Sequence, residues 1–269
     1  MTSIPSTNRR RLLAGLAALP LAGHAANRKL RVGIRGGTGE EIWAEVARIA
    51  KTQGLDLQLV VLAGSVSLNE ALNNGDLDAN AFQHEPFLKD EVRQRGYQVV
   101  PVGNTLFAPL AFYSRRHRSL KDLPERARIG VPNDPSNQTR ALALLQEHGV
   151  VRLRDGLDPR AQTALLADIV ANPRKVEIVE SATNVLARAL PDLDAAAIIN
   201  TFSYQVGLIA TRDGIAVERL ENNPYVNVIA VRSADRQAPW VRPLLASFQN
   251  DTIRQYILSQ YQGSLVPAF

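Results

Sequence analysis

Short apolar runs alternate with amphipathic stretches along this chain, and that alternation leaves few folds open. "KLRVGIRGG" reads as a first strand and turn. "TGEEIWAEVARIAKTQG" follows as a helix, with Ile42, Val46, Ile49 and Ala50 on one face and Gly54 as its stop. "LDLQLVVLAG" is a second strand. "SLNEALNNGDLDA" is a short helix opened by Ser67, three residues before Glu70, in the manner of a capping box. Strand, helix, strand, helix predicts an α/β fold with mainly parallel sheets.

A second cycle runs from about 120 to 222. Within it "PSNQTRALALLQEHG" is the most regular helix. Asp134 can cap it, Pro135 suits its first position, Gly149 ends it, and Ala141, Leu142 and Leu145 form its apolar face. Further helices are expected near 159–170 and 182–190, and one long helix over 239–260. Strands are expected at "LAFYSRR", "KVEIVES", "AAAIIN" and "YVNVIAVRS". If the last strand and helix rejoin the first cycle, the chain crosses between two lobes twice. Ligands in such open sheets bind in the crevice at the carboxyl ends of strands.

The first 25 residues predict an export signal rather than structure. Arg9, Arg10 and Arg11 precede an apolar run from Leu12 to Ala22, too short to span a bilayer, and Gly23-His24-Ala25 suits signal cleavage. The arginines fit either a twin-arginine or an ordinary Sec signal. Removing this segment takes three arginines and no acid from a net charge of +5, leaving +2. With no dense basic run downstream, nucleic acid is not an expected partner. The absence of Cys excludes disulfides, thiolate metal sites, Cys nucleophiles and a lipid anchor through an N-terminal Cys. Phosphate-loop, dinucleotide, H-E-x-x-H and G-x-S-x-G patterns are missing, and His24, His84, His117 and His148 are not at ligand spacing. No metal and no cofactor are expected.

Three stretches can carry chemistry. In "VPNDPSNQTRA" a strand ends, a capped helix begins, and Arg140 lies a turn and a half inside. Helix N-terminus and guanidinium together suit a carboxylate, although a solvated surface Arg would read the same way. Asn200 follows an apolar strand and Asn227 lies inside another. Each buried amide needs a partner, either a ligand head group or a backbone carbonyl. "DANAFQHEPFLKD" fits no single period. Phe82, His84 and Phe87 there form either an aromatic wall for an alkyl or thioether chain, or ordinary core.

These residues resemble a known family. "GDLDANAFQHEPFL" resembles the signature of the methionine-binding periplasmic component of ABC importers, the MetQ/NlpA lipoprotein family. "GYQVVPVGNT", "PLAFYS", "SLKDLP", "VPNDPSNQTRALALLQ", "LRDG", "ANPRKVEIVE", "IIN" and "PYVNVIAVR" follow in order across almost the whole chain. The resemblance implies a two-lobed periplasmic-binding fold, type II-like, with antiparallel crossing strands. The expected division is a signal peptide over 1–25, one lobe from 26–115 plus 225–269, and the other from 116–224.

The resemblance also implies site roles. Arg140 pairs with a ligand carboxylate, Asn200 and Asn227 hold the amino-acid head group, and Phe82, His84 and Phe87 line the side-chain pocket. Departures fall on the side-chain half: Ser65 stands where the family has Tyr, Phe87 replaces another Tyr, and "NTFSYQ" is one residue shorter. The expected protein is a non-catalytic receptor, monomeric and freely diffusing in the periplasm, that passes methionine or a related amino acid to a membrane permease. Another amino acid, a dipeptide or an organic acid in the same role stays open. So, more remotely, do an enzyme on this fold and the effector domain of a transcription regulator.

Overall fold

The computed structural model describes Met1, residues 29–62 and residues 67–269. The export signal and Ser65 lie outside the described residues. The chain builds one sheet, crosses over, builds a second, and returns. The first part is β1 (Leu30–Ile34), α1 (Thr38–Thr52), β2 (Leu57–Val61), α2 (Leu68–Asn73), β3 (Ala79–His84), α3 (Glu85–Arg95) and β4 (Val99–Phe107). The second part is β5 (Leu110–Tyr113), β6 (Arg128–Pro132), α4 (Pro135–Glu147), β7 (Arg152–Leu153), β8 (Ile169–Ala171), β9 (Glu177–Ser181), α5 (Thr183–Ala189), β10 (Ala195–Ile199), α6 (Asn200–Gln205), α7 (Ala210–Asp213) and β11 (Ala216–Val217). The return is β12 (Val226–Arg232), α8 (Val241–Phe248), α9 (Asp251–Tyr261) and β13 (Val266–Pro267).

The first sheet has the order β13-β4-β12-β3-β1-β2 and the second β11-β5-β10-β6-β9. Strands β2, β1 and β3 are parallel, as are β10, β6 and β9, while β12 and β5 run antiparallel to their neighbours. This is the mixed two-sheet α/β arrangement expected. The crossing differs in place. Strand β5, expected in the first lobe, pairs with β10 and β11 in the second sheet, so the chain leaves the first sheet between Phe107 and Leu110 rather than at 115. It returns between Val217 and Val226.

Separate cores fill the two halves. Val32, Ile34, Ile42, Trp43, Phe248 and Ile257 close the first, and Leu110, Phe112, Ile129, Leu142, Leu145 and Ala197 the second. Both cap expectations hold: the Ser67 side chain accepts from Glu70 N–H, and that of Asp134 accepts from Asn137 N–H at 2.9 Å.

Two helix expectations fail. Residues 159–170 form only a 3₁₀ turn and β8, because tertiary partners take their backbone groups: Ala164 exchanges hydrogen bonds with the Thr139 hydroxyl, and β8 pairs with β7. The C-terminal helix is broken in two. Asn250 caps both pieces, its Nδ2 donating to Ala246 O and Ser247 O while its Oδ1 accepts from Ile253 N–H.

Since Asp134 also holds Ser136 Oγ and Asn137 Nδ2, Asp134→Ala should lower stability by about 1–2 kcal/mol in urea unfolding. An unchanged midpoint would show that the cap is idle.

Candidate functional site

The stretch "FQHEPF" has no single period because a strand becomes a helix inside it. Strand β3 ends at His84, whose Nδ1 accepts the Phe87 N–H at 3.1 Å and so caps α3, with Pro86 in the first turn. Antiparallel pairing sets Asn227 of β12 opposite His84. Phe82 and Phe87 meet edge to face at 6.1 Å between centroids. The first half thus supplies Arg35, Phe82, His84, Phe87 and Asn227 to one wall of a cavity of about 100 Å³. That volume would hold several waters.

The second half supplies Asn137 and Arg140 from α4, Thr183 from α5, and Asn200 and Phe202 from α6. All three helices follow directly or nearly so on the carboxyl ends of β6, β9 and β10, where the crevice rule puts a ligand.

The Arg140 guanidinium is almost wholly committed. Its Nε and Nη2 bond Glu218, the closest contact being Nη2 to Oε2 at 2.5 Å, with the two side chains 3% and 9% exposed. Nη2 also donates to Ala108 O at 2.9 Å, and Nη1 to Asn137 Oδ1 at 3.0 Å. Its carbon lies 5.0 Å over the Tyr225 ring. Of five N–H donors this leaves one, on Nη1, for a ligand. The expected clamp is therefore a neutralised pair offering a single donor, rather than a naked cation presenting a fork.

His84 is held neutral. Its Nδ1 is an acceptor, so Nε2 carries the proton and donates to Asn137 Oδ1 at 3.2 Å. Burial pushes its pKa down to about 3, and the nearby Arg140 charge adds to that. His84, Asn137, Arg140 and Glu218 form one hydrogen-bonded line from the first half to the second crossing.

Asn200 is 2% exposed. Its Nδ2 donates to Ser264 O at 3.1 Å, which fixes the amide's orientation, and its buried Oδ1 has no partner among the described residues. Asn227 has no side-chain partner among them either.

The structure therefore brings Phe82, His84, Phe87, Arg140, Asn200 and Asn227 to one cavity, and Ser65 falls outside the described residues. Asn80, which lies in the same "DANAFQHEPFLKD" stretch, faces away. It bonds Asn69, Gln83 and Leu68 O beneath α2. Asn137, Glu218, Arg35 and Phe202 were not found from sequence. Asn137 could have been, since it lies one helical turn before Arg140 in the same motif. Arg35 could have been too, since it follows directly on β1. Glu218 carries no local signal at all.

Residues 30–269 match the model of the NlpA lipoprotein family. The chain is 39% identical over 259 residues to the D-methionine-binding lipoprotein MetQ of Escherichia coli (strain K12), covering 93% of this chain and 94% of that protein. It is 38% identical to the probable D-methionine-binding lipoprotein MetQ of Pasteurella multocida (strain Pm70), covering 90% and 86%. A nutrient binding protein from Burkholderia cenocepacia bound to methionine superposes with a TM-score of 0.86 at 42% identity, covering 89% of this chain and all of that one. The crystal structure of the methionine binding protein MetQ gives 0.85 at 37%, covering 90% and 98%.

The buried neutral His84 makes stability depend on pH. Its folded pKa is below the unfolded value, so protonation favours the unfolded chain. The stability is complete above about pH 6.5 and is lost as the pH falls toward 3. Between pH 6.5 and 4 the parent should lose on the order of 1 kcal/mol per pH unit more than His84→Gln, read from urea midpoints. Parallel curves would contradict a buried neutral imidazole.

Proposed function

Since the chain belongs to the NlpA lipoprotein family, we propose that it is an extracytoplasmic solute-binding receptor of an ABC importer, capturing methionine or a close relative between its lobes. The relatives' names and the methionine-bound neighbour support the ligand class. One observation carries the assignment to this cavity: the buried, unpartnered Oδ1 of Asn200 needs an N–H donor, and a ligand ammonium is one. The Asn227 amide joins it. The ligand carboxylate takes the remaining Nη1 donor of Arg140, and the side chain lies among Phe82, Phe87 and Phe202.

A receptor fits the cavity better than an enzyme. Both His84 nitrogens are engaged, and no Asp or Glu lines the wall among the described residues. That leaves no evident acid–base pair. The closed lobes would dock on a membrane permease, and the receptor would work as a monomer in the periplasm. Among the described residues no helix is long and apolar enough to cross a membrane. The relatives are named lipoproteins, and these 269 residues contain no Cys to carry such an anchor.

The test is a thermal melt of protein stripped of ligand by unfolding and refolding. At a thousandfold excess over Kd, L- or D-methionine should add about 4 kcal/mol, a rise on the order of 10 °C for a chain of this size. Asn200→Leu, which fills similar space without the acceptor, should abolish most of that rise. No rise with any amino acid would overturn the assignment.

A further inference from the structure

The orientation of Asn200 is set by a residue of the other half. Its Nδ2 donates to Ser264 O at 3.1 Å, the one acceptor that nitrogen has among the described residues. Asn200 lines the cavity and Ser264 does not. The end that Ser264 holds is the nitrogen, so the unpartnered oxygen is the end left for a ligand. Turned over, the same amide would set an N–H against a ligand ammonium.

The chain around Ser264 is shaped to bring it there. After α9 two successive residues take left-handed backbone, Gln262 at φ 45° and Gly263 at φ 86°, and that reversal delivers Ser264 to the second half. Glycine adopts such a φ freely, whereas a side chain there is strained. A Cβ on Gly263 would stand an ordinary 3.6 Å from Thr211 Cγ2, so the backbone rather than space calls for glycine. The Ser264 N–H closes the turn on Tyr261 O at 2.8 Å. The Ser264 hydroxyl lies 3.2 Å from the Thr211 hydroxyl of α7. Ser264 thus meets the second half twice, through its carbonyl and through its side chain, and is 4% exposed. Tyr261 steadies the corner from behind. Its hydroxyl donates to Glu41 at 2.7 Å, and its ring meets that of Tyr204 edge to face at 6.0 Å.

We propose that Ser264 is a positioning residue for the amino group of the ligand, acting through Asn200. The corner belongs to one half and Asn200 to the other, so the acceptor is turned toward the ligand only when the lobes are together. A ligand that meets the second half alone finds an amide able to present either end. Discrimination between a ligand with an ammonium and one without is therefore made at closure. The inference rests on the receptor reading above and adds how its head-group end is assembled.

Calorimetric titration of the ligand-stripped protein with L-methionine and 4-(methylthio)butanoate, its deaminated analogue, tests it. The readout is the ratio of the two affinities. Gly263→Val, at an exposed turn outside the cavity wall, should displace the Ser264 carbonyl. The ratio should fall about tenfold or more, with methionine losing affinity and the butanoate holding within about twofold. A ratio unchanged from the parent overturns the proposal, whether both ligands weaken together or neither does, since the corner would then serve only closure or the fold. Should Gly263→Val not fold, Thr211→Val decides by the same ratio. A fall of about threefold or more, restored by Thr211→Ser, is then expected, and an unchanged ratio overturns the proposal. A parent protein that does not prefer methionine overturns the receptor reading and this inference with it. A parent that has the preference and a variant that keeps it overturn this inference alone.

Discussion

The buried Arg140–Glu218 pair is the contact on which the rest of the site depends. Arg140 belongs to α4 in the second half, Ala108 to the first crossing and Glu218 to the second. Glu218 also accepts the Leu110 N–H at 2.9 Å, where the first crossing ends. One ion pair thus ties both crossing segments to the helix that faces the cavity. A buried pair of this kind adds little net stability over an apolar one, but removing either partner strands a charge and costs several kcal/mol. Its value here is positional. It fixes where α4 stands, and with it Asn137 and the last free donor of Arg140.

The head-group end is consequently close to neutral. Glu218 cancels Arg140, and His84 is uncharged with both nitrogens used. Such a wall suits a zwitterion, whose two charges would, in the proposed receptor, be met by an amide oxygen and a guanidinium N–H rather than by bare ions. The unpartnered Asn200 Oδ1 costs on the order of 1–3 kcal/mol while it is buried and empty-handed. In the proposed receptor a ligand ammonium would remove that cost, so ligand and closure would favour each other. The lobes also meet beyond the cavity. Asn200 reaches Ser264 O, and one turn further along α6 Tyr204 approaches both Glu41 carboxylate oxygens at 3.4 Å. Asn137 and His84 meet on the other side of the cavity.

The layered α/β order and the caps at Ser67 and Asp134 follow from local pattern, and that much could be read from the residues; the double crossing followed only on the condition that the last strand rejoin the first sheet. What could not be read depends on partners far along the chain. Glu218 lies 78 residues from Arg140, and nothing nearby announces the pairing. Thr139 and Asp168 consume the backbone that would have made a helix near 160–170. Asn250 divides the last helix with one short side chain that serves both ends. His84 is expected from the sequence to line the side-chain pocket, and its ring does line the cavity. It is also a capping and bridging residue, a double role visible only once β3 and α3 are joined.

The most direct measurement compares L-methionine with its deaminated analogue, 4-(methylthio)butanoate, by calorimetric titration into ligand-stripped protein. The two share the carboxylate and the thioether and differ only in the ammonium that Asn200 Oδ1 is placed to accept. A loss of affinity of about a hundredfold or more is expected on removing it, since a buried acceptor is then left unpaired beside a bound ligand. Equal affinity for the two would contradict the central claim that the cavity between the lobes is built around an amino-acid head group.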